Sequence, residues 1–287
     1  MLVDTGVISW DSTLRSILGE QFAVEDEWAT NHLTLADAVS HRTGMPRHDL
    51  VYRANGSAAE VMEGMRHLPM TAEPRIRFQY CNLMFTTLGV VVERLSGLGL
   101  GKYLTEMIWG PLEMRSTFLS LEDAKKCGAV LAQGYHWTNL SAGFVPLPLT
   151  PVDQVGGAGA TISTVLDYAK WVRMFLHHES PLLHRGYAAV LEPRMIMDSV
   201  PSYVATDSLY AAGWIRSTYR GQKVVWHNGG LPGFGAMVVF LPESKFGVVV
   251  MGNSEAAQTY GSLEIVYSLI DDLLGVPDNE RRDWFSE

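Results

Sequence analysis

The stretch RFQYCNLMFTTLGVVVERLSG, residues 77–97, predicts a strongly apolar helix. Its apolar side chains recur with helical spacing and form one stripe, which comprises Met84, Leu88, Val91, Val92 and Leu95. Gly97 is typical of a helix C-terminus, because glycine readily adopts the left-handed conformation that ends a helix. The preceding segment contains Pro69 and Pro74 and is predicted to be a loop.

Tyr80 and Asn82 stand at the amino-terminal end of this helix, and two interpretations are open for them. In one, Asn82 caps the helix and Tyr80 packs beside it, which is the commoner meaning of such a spacing. In the other, the helix holds both residues in a site. A tyrosine, with an ordinary pKa of about 10, is a poor base unless cations or donated hydrogen bonds lower that value. The positive end of the helix dipole favours the phenolate modestly.

The composition restricts the classes of partner. Hydrophobic residues make up 47% and charged residues 18%, which is typical of a globular protein with a core. Acidic residues outnumber basic ones by 31 to 22 and no basic stripe is present, so nucleic acid is not an expected partner. The amino terminus lacks the basic and apolar regions of a signal peptide, and no apolar run reaches the length of a membrane span. The sequence therefore predicts a cytoplasmic protein that does not bind membranes.

Cysteine and histidine usage argues against a metal or a redox centre. Cys81 and Cys127 form no CxxC pair, and the sequence shows no disulfide framework. None of the histidines, including the adjacent His177 and His178, has the ligand spacing typical of zinc. We therefore expect no metal and no cofactor.

The order of predicted elements indicates an α+β fold in a single domain spanning residues 1–287. A helix-rich lobe is expected at about 12–205, and a sheet with a closing helix at about 206–275. A second helix follows the small-residue run 156–160. The proline-rich stretch 134–152 is expected to be irregular, and a cleft between the lobes is a common place for a ligand.

Alternating apolar patterns in the last third predict consecutive antiparallel strands. The segments 213–219 and 223–227 flank a short turn, as do the segments 236–241 and 246–252. A closing helix follows and ends near Gly275. Its buried face is expected to comprise Leu263, Val266, Ile270 and Leu273.

The segment WHNGGLPGFG, residues 226–235, follows one of these strands and contains four glycines. Its backbone can approach a ligand closely, and its N–H groups can point at a developing oxyanion. His227 titrates near neutrality and can donate, accept or carry a charge. A tight glycine turn with a surface histidine is the simpler interpretation of this segment alone. Another segment, SHRTGMPRHD (40–49), is interpreted as a purely structural turn after a helix.

Taken in order, these segments resemble the serine β-lactamase and penicillin-binding protein superfamily, in particular its class C β-lactamase, D-aminopeptidase and esterase branch. LVDTGVISWDS (2–12) resembles the segment after the family's nucleophile helix, and GGAGATISTVLDYAKWV (156–172) resembles its glycine-to-helix passage. SHRTGMPRHD resembles a turn of the family. Tyr80-Cys81-Asn82 matches its Tyr-x-Asn element, and HNGG (227–230) matches the His-x-Gly version of its Lys-Thr-Gly strand. The resemblance runs from about residue 2 to residue 274.

The resemblance implies a β-lactamase/transpeptidase-like fold and a role for each matching residue. Catalytic roles are implied for Tyr80 and His227: Tyr80 would accept or relay a proton, and His227 would line the cleft across from it. Substrate-binding roles, toward a small-molecule substrate, are implied for Asn82, Asn228, Gly229 and Gly230. Of these, Asn82 would contact the substrate's amide and Gly230 would offer one backbone N–H of an oxyanion hole.

The family's nucleophile, the serine of a Ser-x-x-Lys motif, has no counterpart in this sequence. Lysine follows no serine at the third position, and arginine follows Ser12 and Ser217 there instead. Arginine cannot serve as a base, because it does not deprotonate in proteins. We therefore expect the N-terminal strands and the nucleophile helix of the family fold to be missing. The strand around 248–251 would then be an open apolar edge, to be completed by a second copy in a homo-oligomer or by a partner chain.

Three interpretations of function follow from these residues. The first is a β-lactamase-related serine hydrolase or acyltransferase that acts on an ester or amide of a small molecule, with its nucleophilic serine not present in this chain. The second is a non-covalent acid–base enzyme of small-molecule metabolism, such as an isomerase, cyclase or dehydratase, that uses Tyr80 and His227. The third is a non-catalytic binding module that keeps the cleft. The family resemblance favours the first.

Overall fold

Helices and loops form most of the first two thirds of the chain, around one long helix. The computed structural model describes residues 1–52, 56–138, 143–197, 207–254 and 260–282. Within these ranges the α-helices are α1 (Leu14–Leu18), α2 (Glu27–His32), α3 (Leu35–Val39), α4 (Ala58–Met65), α5 (Asn82–Ser96), α6 (Leu100–Leu104), α7 (Leu121–Lys126), α8 (Gly156–Gly159), α9 (Val165–His177), α10 (His184–Leu191) and α11 (Tyr260–Leu274). None of these helices alone has the length and apolar composition to cross a membrane. The pair formed by α5 and the stretch Leu100–Trp109, bent by 75°, satisfies that test only when both are taken together.

The strands pair antiparallel, in one small sheet and one large sheet. They are β1 (Gly134–Trp137), β2 (Phe144–Leu147), β3 (Met195–Ile196), β4 (Ser208–Tyr210), β5 (Ile215–Tyr219), β6 (Gln222–Leu231), β7 (Phe234–Leu241) and β8 (Phe246–Gly252). β1 pairs with β2, and the six-stranded sheet has the order β3-β4-β5-β6-β7-β8. Within each sheet, strands that follow one another along the chain pair with each other, which confirms the predicted hairpins and the α+β fold. The predicted boundary between the lobes, at 205–206, lies outside the described residues.

The stretch 134–152 contains β1 and β2, so the expectation that it is irregular was wrong. Trp137 pairs with Phe144, and their rings make an edge-to-face contact with centroids 4.9 Å apart. Such aromatic cross-strand pairs stabilise a short ribbon. Pro146, which argued against a strand, lies on β2, and β2 has only one neighbouring strand. An outer strand tolerates a residue that lacks an N–H group.

The helix α5 lies at the centre of the helical lobe and ends at Gly97, as predicted. Gly97 has a positive φ of 71°, the left-handed conformation expected of it. Met84 and Val91 of the predicted stripe are buried, and Leu88 and Leu95 pack against the same cluster. Buried positions occur around most of the helix and comprise Leu83, Met84, Thr86, Thr87, Gly89 and Val91. α5 is therefore a core helix held from several sides.

The run 156–160 forms the short helix α8, which packs directly against α5. A β-carbon added at Gly157 would lie 2.2 Å from the carbonyl oxygen of Phe85, much closer than real atoms approach. Only glycine therefore allows the backbones of α5 and α8 to come this close. The glycine-rich run predicted to lead into a helix is itself helical because this contact fixes it.

Helices cover both faces of the six-stranded sheet. On one face, Phe175 of α9 packs against Phe240 of β7, with 5.5 Å between ring centroids. On the other face, Val266 and Ile270 of α11 are completely buried against the sheet. The sheet thus separates two apolar cores, one shared with α9 and one shared with α11.

The closing helix α11 is confirmed, but one residue of its predicted face was wrong. Leu273 is 43% exposed, whereas Leu274 packs against the core on the sheet. Counting from Ile270, Leu274 lies one full turn further along the helix, and Leu273 falls short of that turn. Gly275 follows with a φ of 68° and ends the helix, as predicted.

β8 is the last strand in the order of the sheet, and no described strand pairs with its outer side. All seven residues of β8 are partly exposed, which confirms the expected apolar edge at 248–251. A hollow of about 360 Å³ lies between β8 and α9, lined in part by Val165, Val172 and Val249. The outer side of β8 therefore presents apolar side chains together with backbone groups that could pair with another strand.

Replacing Gly157 by alanine should destabilise the protein, because the added methyl group overlaps the carbonyl of Phe85 and forces α8 away from α5. We expect a loss of about 2 kcal/mol in the free energy of unfolding, the scale of overpacking in a core, measured by urea denaturation. Gly159→Ala is the matched control, since a β-carbon there meets nothing within 4 Å. Equal stability of the two variants would show that the contact between α5 and α8 does not constrain the fold.

Candidate functional site

Tyr80 and His227 come from different parts of the chain and lie close together, on the two sides of the cleft that the resemblance implies. Tyr80 lies in the loop just before α5, and His227 lies on β6. Their ring centroids are 6.1 Å apart. Side chains alternate along a strand, so His227 lies on the same face of the sheet as Val225, the face covered by α9. Trp226, between them, points to the opposite face, which α11 covers. The two residues therefore lie together as the resemblance implied, while their catalytic roles stay predictions.

His41 holds the backbone on both sides of Tyr80. The carbonyl oxygen of His41 accepts from the N–H of Gln79 at 2.8 Å, and its Nδ1 accepts from the N–H of Cys81 at 3.0 Å. Because Nδ1 accepts, the neutral ring carries its proton on Nε2. His41 is completely buried, and burial, followed by the charges of His227 and Arg47, holds its pKa well below the ordinary value. A neutral buried imidazole thus fixes the loop that carries Tyr80.

The hydroxyl of Tyr80 makes no hydrogen bond with the described residues. The side chain of Tyr80 is half-buried, and the centroids of the Tyr80 and His41 rings are 4.1 Å apart. Burial raises the pKa of Tyr80, and the positive charge of Arg47 opposes that rise. The phenol is therefore protonated at neutral pH, and it becomes a base only if a cation favours the phenolate.

Asn82 is the first residue of α5, and Cys81 takes the N-cap position without a side-chain hydrogen bond. The interpretation in which Asn82 caps the helix was therefore wrong. Its side-chain nitrogen donates instead to Oδ1 of Asp49, 3.1 Å away. Asp49 belongs to the segment 40–49, which was expected to be purely structural.

Two hydrogen bonds define the protonation of His227. Its Nδ1 lies 2.6 Å from the backbone oxygen of Asn228, and because a carbonyl only accepts, Nδ1 carries the proton. Its Nε2 lies 3.1 Å from the hydroxyl of Tyr210 and is left as the acceptor. Burial lowers the pKa of His227, although the bond to Asn228 opposes this, and burial raises the pKa of Tyr210 well above its ordinary value. His227 is therefore a neutral, half-buried ring with both nitrogens engaged.

Tyr210 is the main residue of the site that the sequence did not indicate. It is 1% exposed on β4, and its ring contacts His41, with 4.8 Å between centroids, as well as His227. A tyrosine in an alternating strand is far more often a core residue, so no local signal distinguished it. Its hydroxyl nevertheless donates to Nε2 of His227, the nitrogen that the Asn228 carbonyl leaves as an acceptor.

The backbone N–H of Gly230 points away from β7, toward the side of β6 that faces β5. β6 has a two-residue hairpin turn at each end. The residues that flank such a turn are hydrogen-bonded to each other, so Gln222 bonds to Tyr219 of β5 and Leu231 bonds to Phe234 of β7. Because bonding alternates along an antiparallel strand, the odd-numbered residues of β6 bond to β7 and the even-numbered residues face β5. The pairing of β5 stops at Trp226. Gly230 lies beyond that point, so its N–H is available to a ligand.

Asn228 and Gly229 lie beside His227 on β6, and both are exposed. Alternation directs the side chain of Asn228 to the face opposite the ring of His227, and the atom of Asn228 that contacts that ring is its carbonyl oxygen. A β-carbon at Gly229 would meet nothing within 4 Å, so close packing does not require glycine there. The segment 226–235 is thus an extended hairpin, with its turn at Pro232 and Gly233.

The cleft collects a phenol, a neutral imidazole, a side-chain amide and a backbone N–H. Among the residues described, no group of three or more histidine, cysteine, aspartate or glutamate side chains is placed to hold a metal ion. The groups present can bind a carbonyl compound, hold an oxyanion and move a proton. None of them is a nucleophile of the Ser-x-x-Lys type, a motif that the 287 residues do not contain.

Comparison with known proteins gives the family to which the chain belongs. The Beta-lactamase family model matches residues 1–267. The chain therefore belongs to the beta-lactamase family.

Two curated relatives and one solved structure give the range of the similarity. The chain is 38% identical over 283 residues to an unguisins hydrolase of Aspergillus campestris, and the matched region covers 96% of this chain and 53% of that protein. It is 27% identical over 248 residues to a D-aminopeptidase of Cereibacter sphaeroides, which covers 85% of this chain and 43% of that protein. The chain thus spans about half the length of the curated relatives it matches.

The solved structure is that of an octameric penicillin-binding protein homologue from Pyrococcus abyssi. It superposes with a TM-score of 0.79 at 23% identity, over 94% of this chain and 62% of that one. This similarity confirms the β-lactamase/transpeptidase-like fold that the sequence predicted.

Replacing His41 by leucine should cost stability, because the N–H of Cys81 loses its acceptor and residue 41 has a left-handed φ of 55°. We expect a loss of about 2 kcal/mol at pH 7.5, the penalty for a buried polar group left without a partner. Asparagine offers an oxygen acceptor and tolerates the left-handed backbone, so His41→Asn should lose less. Urea denaturation of the three proteins measures this order.

The wild type and the His41→Asn variant should also differ in how their stability depends on pH. Burial, with the charges of His227 and Arg47, keeps the pKa of His41 well below its ordinary value of 6.5. As the pH falls below 6.5, the unfolded chain takes up this proton before the folded chain does, so the wild type loses stability. His41→Asn lacks this loss, and the stability gap between the two should narrow from pH 7.5 to pH 5.5. A constant gap would contradict a neutral, buried His41.

Proposed function

We propose that this chain forms two walls of the active site of a hydrolase that cleaves an amide or ester of a small, peptide-like molecule by acyl transfer. The nucleophilic serine is then supplied from outside these 287 residues. The observation that carries the proposal is the approach of Tyr80 and His227, whose ring centroids lie 6.1 Å apart, with Asn82 two residues from Tyr80 and Gly230 three residues from His227. The names of the relatives, an unguisins hydrolase and a D-aminopeptidase, support an amide as the bond that is cleaved.

In the proposed reaction a serine hydroxyl attacks the carbonyl carbon of the substrate, and Tyr80 accepts or relays the hydroxyl proton. Because the pKa of Tyr80 is raised by burial, a cation has to favour its phenolate, and the lysine of a Ser-x-x-Lys motif is such a cation. The N–H of Gly230 holds the oxyanion that forms on the carbonyl oxygen. The proton then passes to the departing group, and water releases the acyl group in a second round.

His227 is proposed to shape the cleft rather than to take a proton from the substrate. Its Nε2 already accepts from Tyr210, and its Nδ1 already donates to Asn228. A substrate proton could reach Nε2 only by displacing the hydroxyl of Tyr210. This arrangement counts against the non-covalent acid–base enzyme, which needs a free nitrogen on His227. No observation favours the non-catalytic module.

Chemical labelling tests where the nucleophile lies. The 287-residue chain, treated with a fluorophosphonate that phosphonylates activated serines with loss of fluoride, should gain no mass, because none of its serines has a lysine base at the family spacing. A form extended by a segment that carries Ser-x-x-Lys should be labelled at that serine and should hydrolyse amino-acid anilides. Intact-mass spectrometry and a colorimetric assay give the two readouts. A label mapped to any serine among the 287 residues would overturn this placement of the nucleophile.

The same extended form tests Tyr80. Tyr80→Phe should lower kcat by about 10²–10⁴-fold, the contribution of a positioned acid–base group, with little change in the thermal unfolding temperature. Tyr103→Phe is the matched control, because Tyr103 is a buried tyrosine on α6 outside the cleft. An unchanged kcat in Tyr80→Phe would remove Tyr80 from the mechanism.

We also propose that another polypeptide pairs with the outer side of β8, either a second copy or a further segment. The partly exposed apolar residues of β8 and the hollow beside α9 support this, as does the octameric state of the similar protein from Pyrococcus abyssi. The isolated chain should therefore associate as its concentration rises, because an unpaired apolar strand favours pairing. Sedimentation velocity measures this association. A single monomeric species at every concentration would count against the pairing.

A further inference from the structure

The loop Gly44–Asp49, expected to be only a turn, contacts both residues of the Tyr-x-Asn element. The guanidinium carbon of Arg47 lies 4.5 Å from the ring centroid of Tyr80. Oδ1 of Asp49 accepts from the side-chain nitrogen of Asn82 at 3.1 Å. Nε of Arg47 and Oδ2 of Asp49 lie 3.3 Å apart and form an ion pair. One ion pair thus connects the two contacts.

Arg47 acts on Tyr80 by stacking and by charge. A guanidinium stays charged at every pH relevant to proteins, and its position over an aromatic face is favourable. A cation on the ring also favours the phenolate over the phenol, whereas an anion nearby has the opposite effect. The titratable or charged groups around Tyr80 are His41, Arg47, Asp49, Cys81, Tyr210 and His227. Of these, only Arg47 is a permanent cation.

Asp49 acts on Asn82 by fixing which way its amide faces. A carboxylate can only accept hydrogen bonds, so the nitrogen of Asn82, not its oxygen, must face Asp49. The hydroxyl of Tyr52 donates to the same Oδ1 at 3.0 Å and holds the carboxylate in place. The amide oxygen of Asn82 is consequently turned away from Asp49, and no described residue bonds to it. It can accept from an N–H or ammonium group of whatever enters the cleft.

We infer that Arg47 and Asp49 are positioning residues of the site, Arg47 holding and polarising the ring of Tyr80 and Asp49 fixing the amide of Asn82. This inference rests on the proposed function only for the claim that Tyr80 and Asn82 act in the reaction. The contacts themselves can be tested without a nucleophile or turnover. The ligand class that follows is a carbonyl compound with a hydrogen-bond donor, such as an amide N–H, directed at the oxygen of Asn82.

The test is fluorine NMR on the full chain labelled with 3-fluorotyrosine, whose phenol ionises at lower pH than that of tyrosine. The variant Tyr80→Phe assigns the signal of Tyr80. Arg47→Met should move the titration of that signal to higher pH, because a cation on the ring is lost. Asp49→Asn should move it to lower pH, because an anion is lost while the side-chain shape is kept. In nitrogen-resolved spectra, Asp49→Asn should also shift the side-chain amide signal of Asn82.

The matched controls come from a second ion pair of the same spacing. Arg115 and Glu113 are two residues apart on the surface, with 3.6 Å between their charged groups. Arg115→Met and Glu113→Gln should leave both signals unchanged. Opposite shifts for Arg47→Met and Asp49→Asn support the inference, since a general loosening of the loop moves both in one direction. Shifts of the same sign, or no shift, overturn it. If a variant loses its dispersed fluorine signals and so is not folded, Arg47→Gln or Asp49→Ser is used in its place.

These outcomes are independent of the proposed hydrolysis. If the opposite shifts are found and the extended form shows no acyl transfer, the positioning contacts stand and the proposed reaction fails. If acyl transfer depends on Tyr80 but the shifts are absent, the reaction stands and Arg47 and Asp49 are not part of its machinery.

Discussion

The burial of α5 around most of its circumference is the constraint on which the rest of this structure depends. A helix packed in this way cannot rotate or slide without opening voids or overlapping atoms. Gly157 brings α8 into direct contact with one side, and His41 fixes the backbone just before the first turn. The amino-terminal end of α5 is consequently rigid. Tyr80 and Asn82 take their positions from this end, and so the geometry of the cleft follows from core packing.

Features that depend on local pattern could be predicted from the sequence, and features that depend on distant contacts could not. The stripe of α5, its stop at Gly97 and the hairpins of the large sheet follow from periodicity and turn chemistry, which act between near neighbours. The site residues Tyr80 and His227 were found through their motifs. His41 and Asp49 were not, because their partners Cys81 and Asn82 lie 40 and 33 positions further along the chain. Tyr210 gave no signal, since a tyrosine in a strand is ordinarily a core residue.

The electrostatics of the cleft are set by neutral groups with one charged pair beside them. Burial lowers the pKa values of His41 and His227, and burial raises the pKa of Tyr210. Arg47 itself is 58% exposed, so water screens part of its charge, but its guanidinium carbon lies only 4.5 Å from the ring centroid of Tyr80. The ion pair of Arg47 and Asp49 is therefore well placed to influence the phenol. Any cation that enters the cleft with a nucleophile would meet groups that are already oriented.

The alternation along β6 makes two properties of the cleft inseparable. The same register that directs the N–H of Gly230 away from β7 also places the ring of His227 on the face of the α9 core. A slip by one residue would exchange both at once, although the ladder could keep most of its hydrogen bonds. Molecules with a shifted β6 would have a normal content of β-sheet, but the N–H of Gly230 and the ring of His227 would both point the wrong way. Slipped molecules would therefore lower the number of intact sites in a preparation without weakening the sites of the others.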